Sequence, residues 1–248
     1  TFRGQEGKQV LKVPITVRDN PNLREFNGQR CIGSYAYDDE GVKASDTVLI
    51  EDGVLKNYLT TRSAITKGRY HSNGHARTKS TQRPISRMAV TIVEGKNGLP
   101  IDRLKTRLVQ EIKRQKKPYG LIVYETSGGE TDTTNYDFQA FSGDISYATL
   151  VYPNGREVPV RGVNFVGTPL QSLNNIIAMG DTPIIDNGFC GAESGLLPIT
   201  TISPAALISN LELQGKDEEL VTPSILQRPK SLHRKRKHTK QRRRKRRG

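Results

Sequence analysis

Residues 47–59 set the strongest local constraint on this chain. Thr47-Val48-Leu49-Ile50-Glu51 and Val54-Leu55-Lys56-Asn57-Tyr58-Leu59 are rich in β-branched and apolar residues, and Asp52-Gly53 stands between them. Glycine accepts the positive φ of a tight turn without steric penalty, so the run predicts an antiparallel hairpin. Residues 148–160 repeat the pattern, turning at Pro153-Asn154-Gly155. With 23 Gly, 13 Pro, no Trp and 34% apolar residues, the chain favours many short strands over long helices. Its 248 residues are ample for a core. No apolar run approaches the ~20 residues of a membrane helix, and none looks like a secretion leader, so no membrane partner is expected.

Two helices interrupt the strands. Ile101, Leu104, Leu108 and Ile112 recur at helical spacing over 99–117, opened by Pro100 and closed at Lys116-Lys117-Pro118. Its cationic face (Arg103, Lys105, Arg107, Lys113, Arg114) reads as solvated. A shorter helix is predicted over 168–180, with Thr168 as cap and Gly180 as stop. Between them lie a buried-looking strand, 121–125, and a polar Gly-Gly loop, 127–134, which lacks the lysine and spacing of a phosphate loop. Residues 10–17 read as a strand that Pro14 confines to an edge or a bulge. Tyr37-Asp38-Asp39-Glu40-Gly41 reads as a solvated acidic turn, without the alternation of a calcium loop. For 203–213, starting Ser203-Pro204, periodicity allows a Pro-started helix or a strand.

The net charge of +14 is unevenly spread: residues 228–248 hold thirteen Lys or Arg and no acid, leaving about +1 for the rest. Such a block repels itself, so a linker over 215–227 and a disordered basic tail over 228–248 are expected. The tail suits nucleic-acid phosphates or a nuclear address, or serves no function. Two cysteines, Cys31 and Cys190, are too few for a disulfide framework, and a cytoplasmic setting is the default.

Cys190 lies between two glycines in Asp186-Asn187-Gly188-Phe189-Cys190-Gly191-Ala192-Glu193-Ser194-Gly195. Flanking glycines favour a sharp turn and an uncrowded thiol, and a thiolate is a good zinc ligand. The bland alternative is a small buried apolar residue. His71 and His75 have the i, i+4 spacing of a zinc-protease helix. Asn73-Gly74 favours a turn, however, and Ser72 stands where a base glutamate would be, so the stretch reads as a polar loop. Gly191-Ala192-Glu193-Ser194-Gly195 imitates a nucleophile elbow with its serine one place late, which makes a serine hydrolase a poor fit.

Several of these pieces fall in one order. Asp38-Asp39-Glu40-Gly41, residues 48–59, Ser72-Asn73-Gly74-His75-Ala76-Arg77 and Arg87-Met88 resemble the C-terminal half of the TldD/PmbA family. So do Gly128-Gly129-Glu130-Thr131-Asp132, Asp137-Phe138, Val158-Pro159-Val160-Arg161-Gly162, Met179-Gly180-Asp181 and Cys190-Gly191. The resemblance covers most of residues 1–214 and implies a metallopeptidase acting on peptides or small proteins. In TldD-like members an H-E-x-x-x-H helix gives two histidine ligands and a glutamate base, and a cysteine in the C-terminal half completes the zinc site. Cys190 matches that cysteine. No H-E-x-x-x-H occurs among these residues, so it is expected upstream, and the present chain carries no catalytic residue and is expected to be inactive alone. The resemblance also makes 204–213 a strand and implies a homodimer or heterodimer.

The expectation is therefore an α+β, antiparallel β-rich domain over 1–214 with two helices, forming half of a TldD-like zinc metallopeptidase with Cys190 as a zinc ligand. A non-catalytic PmbA-type partner subunit is one alternative. A nucleic-acid-binding protein acting through its basic tail is the other.

Overall fold

The Asp52-Gly53 turn forms as its residues require. Asp52 and Gly53 have φ of 51° and 84°, the paired positive values of a mirror-image turn, and they join β4 (Thr47–Glu51) to β5 (Val54–Leu55) with Ile50 opposite Leu55. The computed structural model describes residues 2–63, 71–79, 81–132 and 140–215. The expected linker beyond Gly215 and the basic tail, with His233 and His238, lie outside the described residues, as does Asp137-Phe138.

Before the hairpin come β1 (Ile15–Asp19) and a small ribbon of β2 (Glu25–Phe26) and β3 (Gln29–Arg30). After it, β6 (Ala76–Arg77) pairs with β7 (Ile85–Ser86), and β8 (Val90–Gly95) leads to α1 (Ile101–Arg114). Next come β9 (Gly120–Asp132), β10 (Ala140–Val151), β11 (Glu157–Val160), β12 (Val163–Gly167) and α2 (Pro169–Asn174). The described chain closes with β13 (Ile176–Ala192), β14 (Gly195–Ile208) and β15 (Glu212–Gly215). The result is α+β and antiparallel-rich. One sheet has the order β13-β14-β8-β1-β4-β5, in which only the β14–β8 pairing is parallel. In the other, β10 is flanked by β9 on one side and by β11 and β12 on the other, with β15 beyond β12.

The core lies along the first sheet. Cys31, Val90, Ile92 and Ile202 form one buried cluster, and Leu11, Ile15, Ile50, Leu55 and Met179 belong to a second. Full burial of one such aliphatic side chain is worth about 1.5–3 kcal/mol. The apolar face of α1 covers the sheet through Leu104, which packs with Ala178 and Leu207. Among the described residues no helix is long and apolar enough to cross a membrane.

Several local expectations are corrected. Pro14 precedes β1 instead of interrupting it, and β1 is an interior strand between β4 and β8, with its irregularity at Val17/Arg18. The second helix ends at Asn174, because Ile176 to Gly180 is drawn into the sheet as the buried start of β13. The strand expected over 121–125 is longer and more exposed: Val123 and Tyr124 are 37% and 48% accessible. The Gly-Gly segment is no loop as far as Asp132. Gly128 and Gly129 pair with Asp144 and Gly143 of β10, so cross-strand pairing overrides the weak strand propensity of glycine. Thr133 and Thr134 are outside the described residues. Residues up to Ile208 of the ambiguous C-terminal run are strand, and the chain breaks at 209–211 before β15.

The acidic turn is ordered by hydrogen bonds. Asp38 is buried and its carboxylate accepts the amide protons of Glu40, Val42 and Ala76 at 3.0, 2.8 and 3.0 Å. Asp39 accepts from the Thr78 amide and Glu40 from the Arg62 amide, so all three carboxylates bind backbone amides.

Candidate functional site

Cys190 sits in extended strand, two residues before β13 ends, opposite Leu197 of β14. The expected sharp turn at its flanking glycines is displaced. The chain reverses at Glu193-Ser194, and Gly195, with φ of 99°, supplies the unusual backbone angle. A side chain there would also meet Lys79, since a Cβ would lie 2.7 Å from the Lys79 Cβ. Beyond Thr200, the last point where β14 touches β8, the two strands pair with each other alone. The Lys79 amide donates to the Ser194 carbonyl at the tip (2.8 Å), but isolated two-stranded ribbons are marginal, so side chains from elsewhere must help to hold this one.

Two buried arginines do so. Arg87, 5% exposed, donates from Nη2 to the Cys190 carbonyl at 2.5 Å, and from Nη1 to Ser194 Oγ at 2.9 Å and the Gly195 carbonyl at 3.0 Å. Arg77, 7% exposed, donates to the carbonyls of Met88 (2.6 Å) and Pro198 (2.9 Å) and stacks over Tyr35 at 5.1 Å. Burial lowers the Arg77 pKa and raises that of the Tyr35 phenol. At the foot of the ribbon, Asn187 accepts from Thr200 Oγ1 and the Ile32 amide and donates to the Arg30 carbonyl.

Behind the arginines lies a fully buried pair, Asp19 and His75. Asp19 Oδ1 faces His75 Nε2 at 3.2 Å and accepts the amides of Ala89 and Val90, while Oδ2 accepts from Ala89 and from Thr91 Oγ1 at 2.7 Å. His75 Nδ1 lies 2.9 Å from Asn73 Oδ1 and 3.1 Å from the Asn73 carbonyl. Both imidazole nitrogens are therefore engaged. The stretch 71–75 is non-helical, with Gly74 at φ of 76°, as expected, but His75 is a buried anchor instead of part of a solvated polar loop. His75 also links to the ribbon, because its carbonyl accepts the Arg87 amide at 3.0 Å.

For a metal, the donor set here is incomplete. Among the described residues no group of three or more His, Cys, Asp or Glu could hold an ion. Of the two cysteines, Cys190 is the accessible one, and its sulfur has a 4.0 Å approach to the Gly191 carbonyl. Cys31 is buried and its thiol pKa is raised, first by desolvation and then by Glu25, which opposes thiolate formation. The half-buried thiol has the chemistry of one zinc ligand, and the described residues place no complete donor set beside it. Beside it on the ribbon, Phe189 and Leu196 expose 65% and 52% of their surface.

Of the residues singled out from sequence, the fold brings Arg87 to the Cys190 ribbon and keeps His71 apart as an exposed loop residue. Asp19, Asn187, Ser194 and the structural roles of Arg77 and Arg87 were not foreseen. Their one local signal is a cation or carboxylate next to an apolar β-run, as in Arg87-Met88-Ala89-Val90.

Residues 1–215 match the family model described as PmbA/TldA metallopeptidase C-terminal domain. A "Metalloprotease" of Methanothermobacter thermautotrophicus is 30% identical over 214 residues, covering 86% of this chain and 43% of that protein. A "Zinc metalloprotease TldD homolog" of Saccharolobus solfataricus is 25% identical over 180 residues, covering 72% of this chain and 38% of its own length. The crystal structure of TldE from Thermococcus kodakarensis superposes with a TM-score of 0.58 at 18% identity, over 86% of this chain and 42% of that one, a likeness of fold. The chain thus spans less than half the length of the relatives it matches.

Proposed function

Because the chain belongs to the PmbA/TldD metallopeptidase family, as the C-terminal domain, we propose that it forms one half of a TldD-type zinc metallopeptidase acting on peptides or small proteins, with Cys190 as a zinc ligand. The observation that carries this reading is a half-buried thiol held at a defined place on a ribbon by buried arginine hydrogen bonds. Relatives named metalloprotease, one of them a zinc metalloprotease, support the reaction class.

On this reading the other two ligands, both histidines, and a glutamate general base belong to an H-E-x-x-x-H helix outside the present residues. The domain contributes a thiolate and no general base. When bound, zinc with three protein ligands keeps an open position and lowers the pKa of a water there to about 7. This chain's own task is to present the Cys190 sulfur. The exposed Phe189 and Leu196 suit a site closed by another part of the assembly, in a homodimer or heterodimer. Two free cysteines suit a cytoplasmic setting. The domain boundary belongs near 214–215, where β15 ends, followed by a linker to 227, and the charge of residues 228–248 suits nucleic acid.

The test is zinc content, by elemental analysis, and hydrolysis of an unfolded protein substrate by the full-length protein and its Cys190→Ser variant. Loss of stoichiometric zinc together with cleavage is expected. A variant that keeps both removes Cys190 from the site.

A further inference from the structure

Arg87 is a cation buried without a carboxylate. Its guanidinium is satisfied by two carbonyls and a hydroxyl, all from residues 190–195, and among the described residues no acid lies within ion-pair distance. Removing a charge from water costs several kcal/mol, and burial beside a second cation, Arg77, adds repulsion. A packed apolar residue would hold a ribbon of this kind at lower cost. What an apolar residue lacks is the ability to fix the direction of particular carbonyls.

We propose that Arg87 is a positioning residue for the Cys190 thiol. Its bond to the Cys190 carbonyl fixes the peptide plane on the C-terminal side of Cys190. That plane and the Cα–Cβ bond share one Cα, so locking the first limits where the sulfur points. The bonds to Ser194 and Gly195 tie the same guanidinium across the reversal, and the ribbon end is held from both strands. The arginine is itself located from behind. Its amide donates to the His75 carbonyl, and His75 is clamped between Asp19 and Asn73. A rigid path thus runs from the buried carboxylate of Asp19, in β1, to the ribbon that bears the thiol.

The metal arm of the inference rests on the zinc reading of Cys190; the thiol arm does not. Both are measured on the full-length protein. In metal-free protein the alkylation rate of Cys190 reports the freedom of its side chain, and Cys31, fully buried, stays silent. Zinc affinity follows from competition with a chromophoric chelator. Arg87→Gln is expected to raise the alkylation rate at least about threefold and, as is typical when a group orienting a ligand is lost, to weaken zinc binding about 10–100-fold. Arg87→Lys, which keeps a charged donor, recovers part of both. Ser194→Ala removes one acceptor and leaves the Cys190 bond, so both readouts stay near wild type. Should Arg87→Gln fail to fold, Arg87→Lys against Ser194→Ala decides the matter. A folded Arg87 variant with wild-type alkylation and zinc affinity overturns the proposal. So do equal changes in Arg87→Lys and Ser194→Ala, which signify general loosening. If Cys190→Ser keeps its zinc while Arg87 variants still alkylate faster, the metal reading falls and the positioning role stands.

Discussion

Asp19→Asn tests the buried network behind the ribbon, and its cost follows from a count of donors. The carboxylate accepts the amides of Ala89 and Val90 and the Thr91 hydroxyl, and its Oδ1 faces His75 Nε2, so both of its oxygens are used. Asparagine keeps the volume but turns one oxygen into an NH2 group, which then points donors at donors. If the amide nitrogen takes the Oδ2 position, it faces the Thr91 hydroxyl and the Ala89 amide. In the Oδ1 position it faces His75 and Val90. Ala89 keeps the remaining oxygen in either case, so one donor, Thr91 or Val90, loses its acceptor, at about 1–3 kcal/mol. In a domain of this size about 2–4 °C of Tm goes with each kcal/mol, so the melting point should fall by roughly 2–12 °C. Urea and thermal unfolding followed by circular dichroism measure it. A double-mutant cycle with His75→Gln should show the two costs to be non-additive by at least about 0.5 kcal/mol. An Asp19→Asn protein within about 0.5 kcal/mol of wild type refutes the reasoning, because the donor must then find another acceptor.

Two more perturbations bear on the same scaffold. Gly33→Ala places a Cβ 2.1 Å from the Ala89 carbonyl oxygen and 2.9 Å from the Thr200 amide nitrogen, both backbone atoms that move only with β8 and β14. Urea unfolding should show a loss of at least about 1–3 kcal/mol, and a neutral variant contradicts the packing. The Glu111 carboxyl is held down to about 2, first by its hydrogen bond from Arg114 and then by Gln115. A pKa lowered on folding gives stability that is present above the unfolded value near 4.5 and is lost as pH falls towards 2. An NMR titration of Glu111 should therefore have its midpoint near 2, and Glu111→Gln should flatten the stability profile between pH 4.5 and 2; an ordinary midpoint near 4.5 counts against the contact.

What the sequence revealed depended on how local the cause was. Asp52-Gly53 specifies its own turn, and Leu104 and Ile112 mark the buried face of α1 within the helix itself. The Gly128-Gly129 segment reads as a loop because its strand state comes from β10 across the sheet. The second helix was drawn too long because the apolar run after Asn174 suits a helix as well as the buried start of β13. Cys190 is one half-buried thiol that its nearby glycines mark only weakly, and its proposed role as a ligand rests on the resemblance. Arg87 meets Cys190 across more than a hundred residues, a pairing that periodicity and composition do not encode.

The single parallel seam of the first sheet has a consequence for how the chain is made. Val90, Thr91 and Ile92 of β8 meet Thr200, Thr201 and Ile202 of β14, and α1 and nearly all of the second sheet lie between them in sequence. During synthesis the earlier strands can zip up early, but one side of β8 stays open until β14 leaves the ribosome. An open, apolar edge is a template for wrong partners, and a closure of such long range is slow. The ribbon that carries Cys190 is completed by that same late strand, so a nascent chain cannot hold its thiol in place before nearly the whole domain is made.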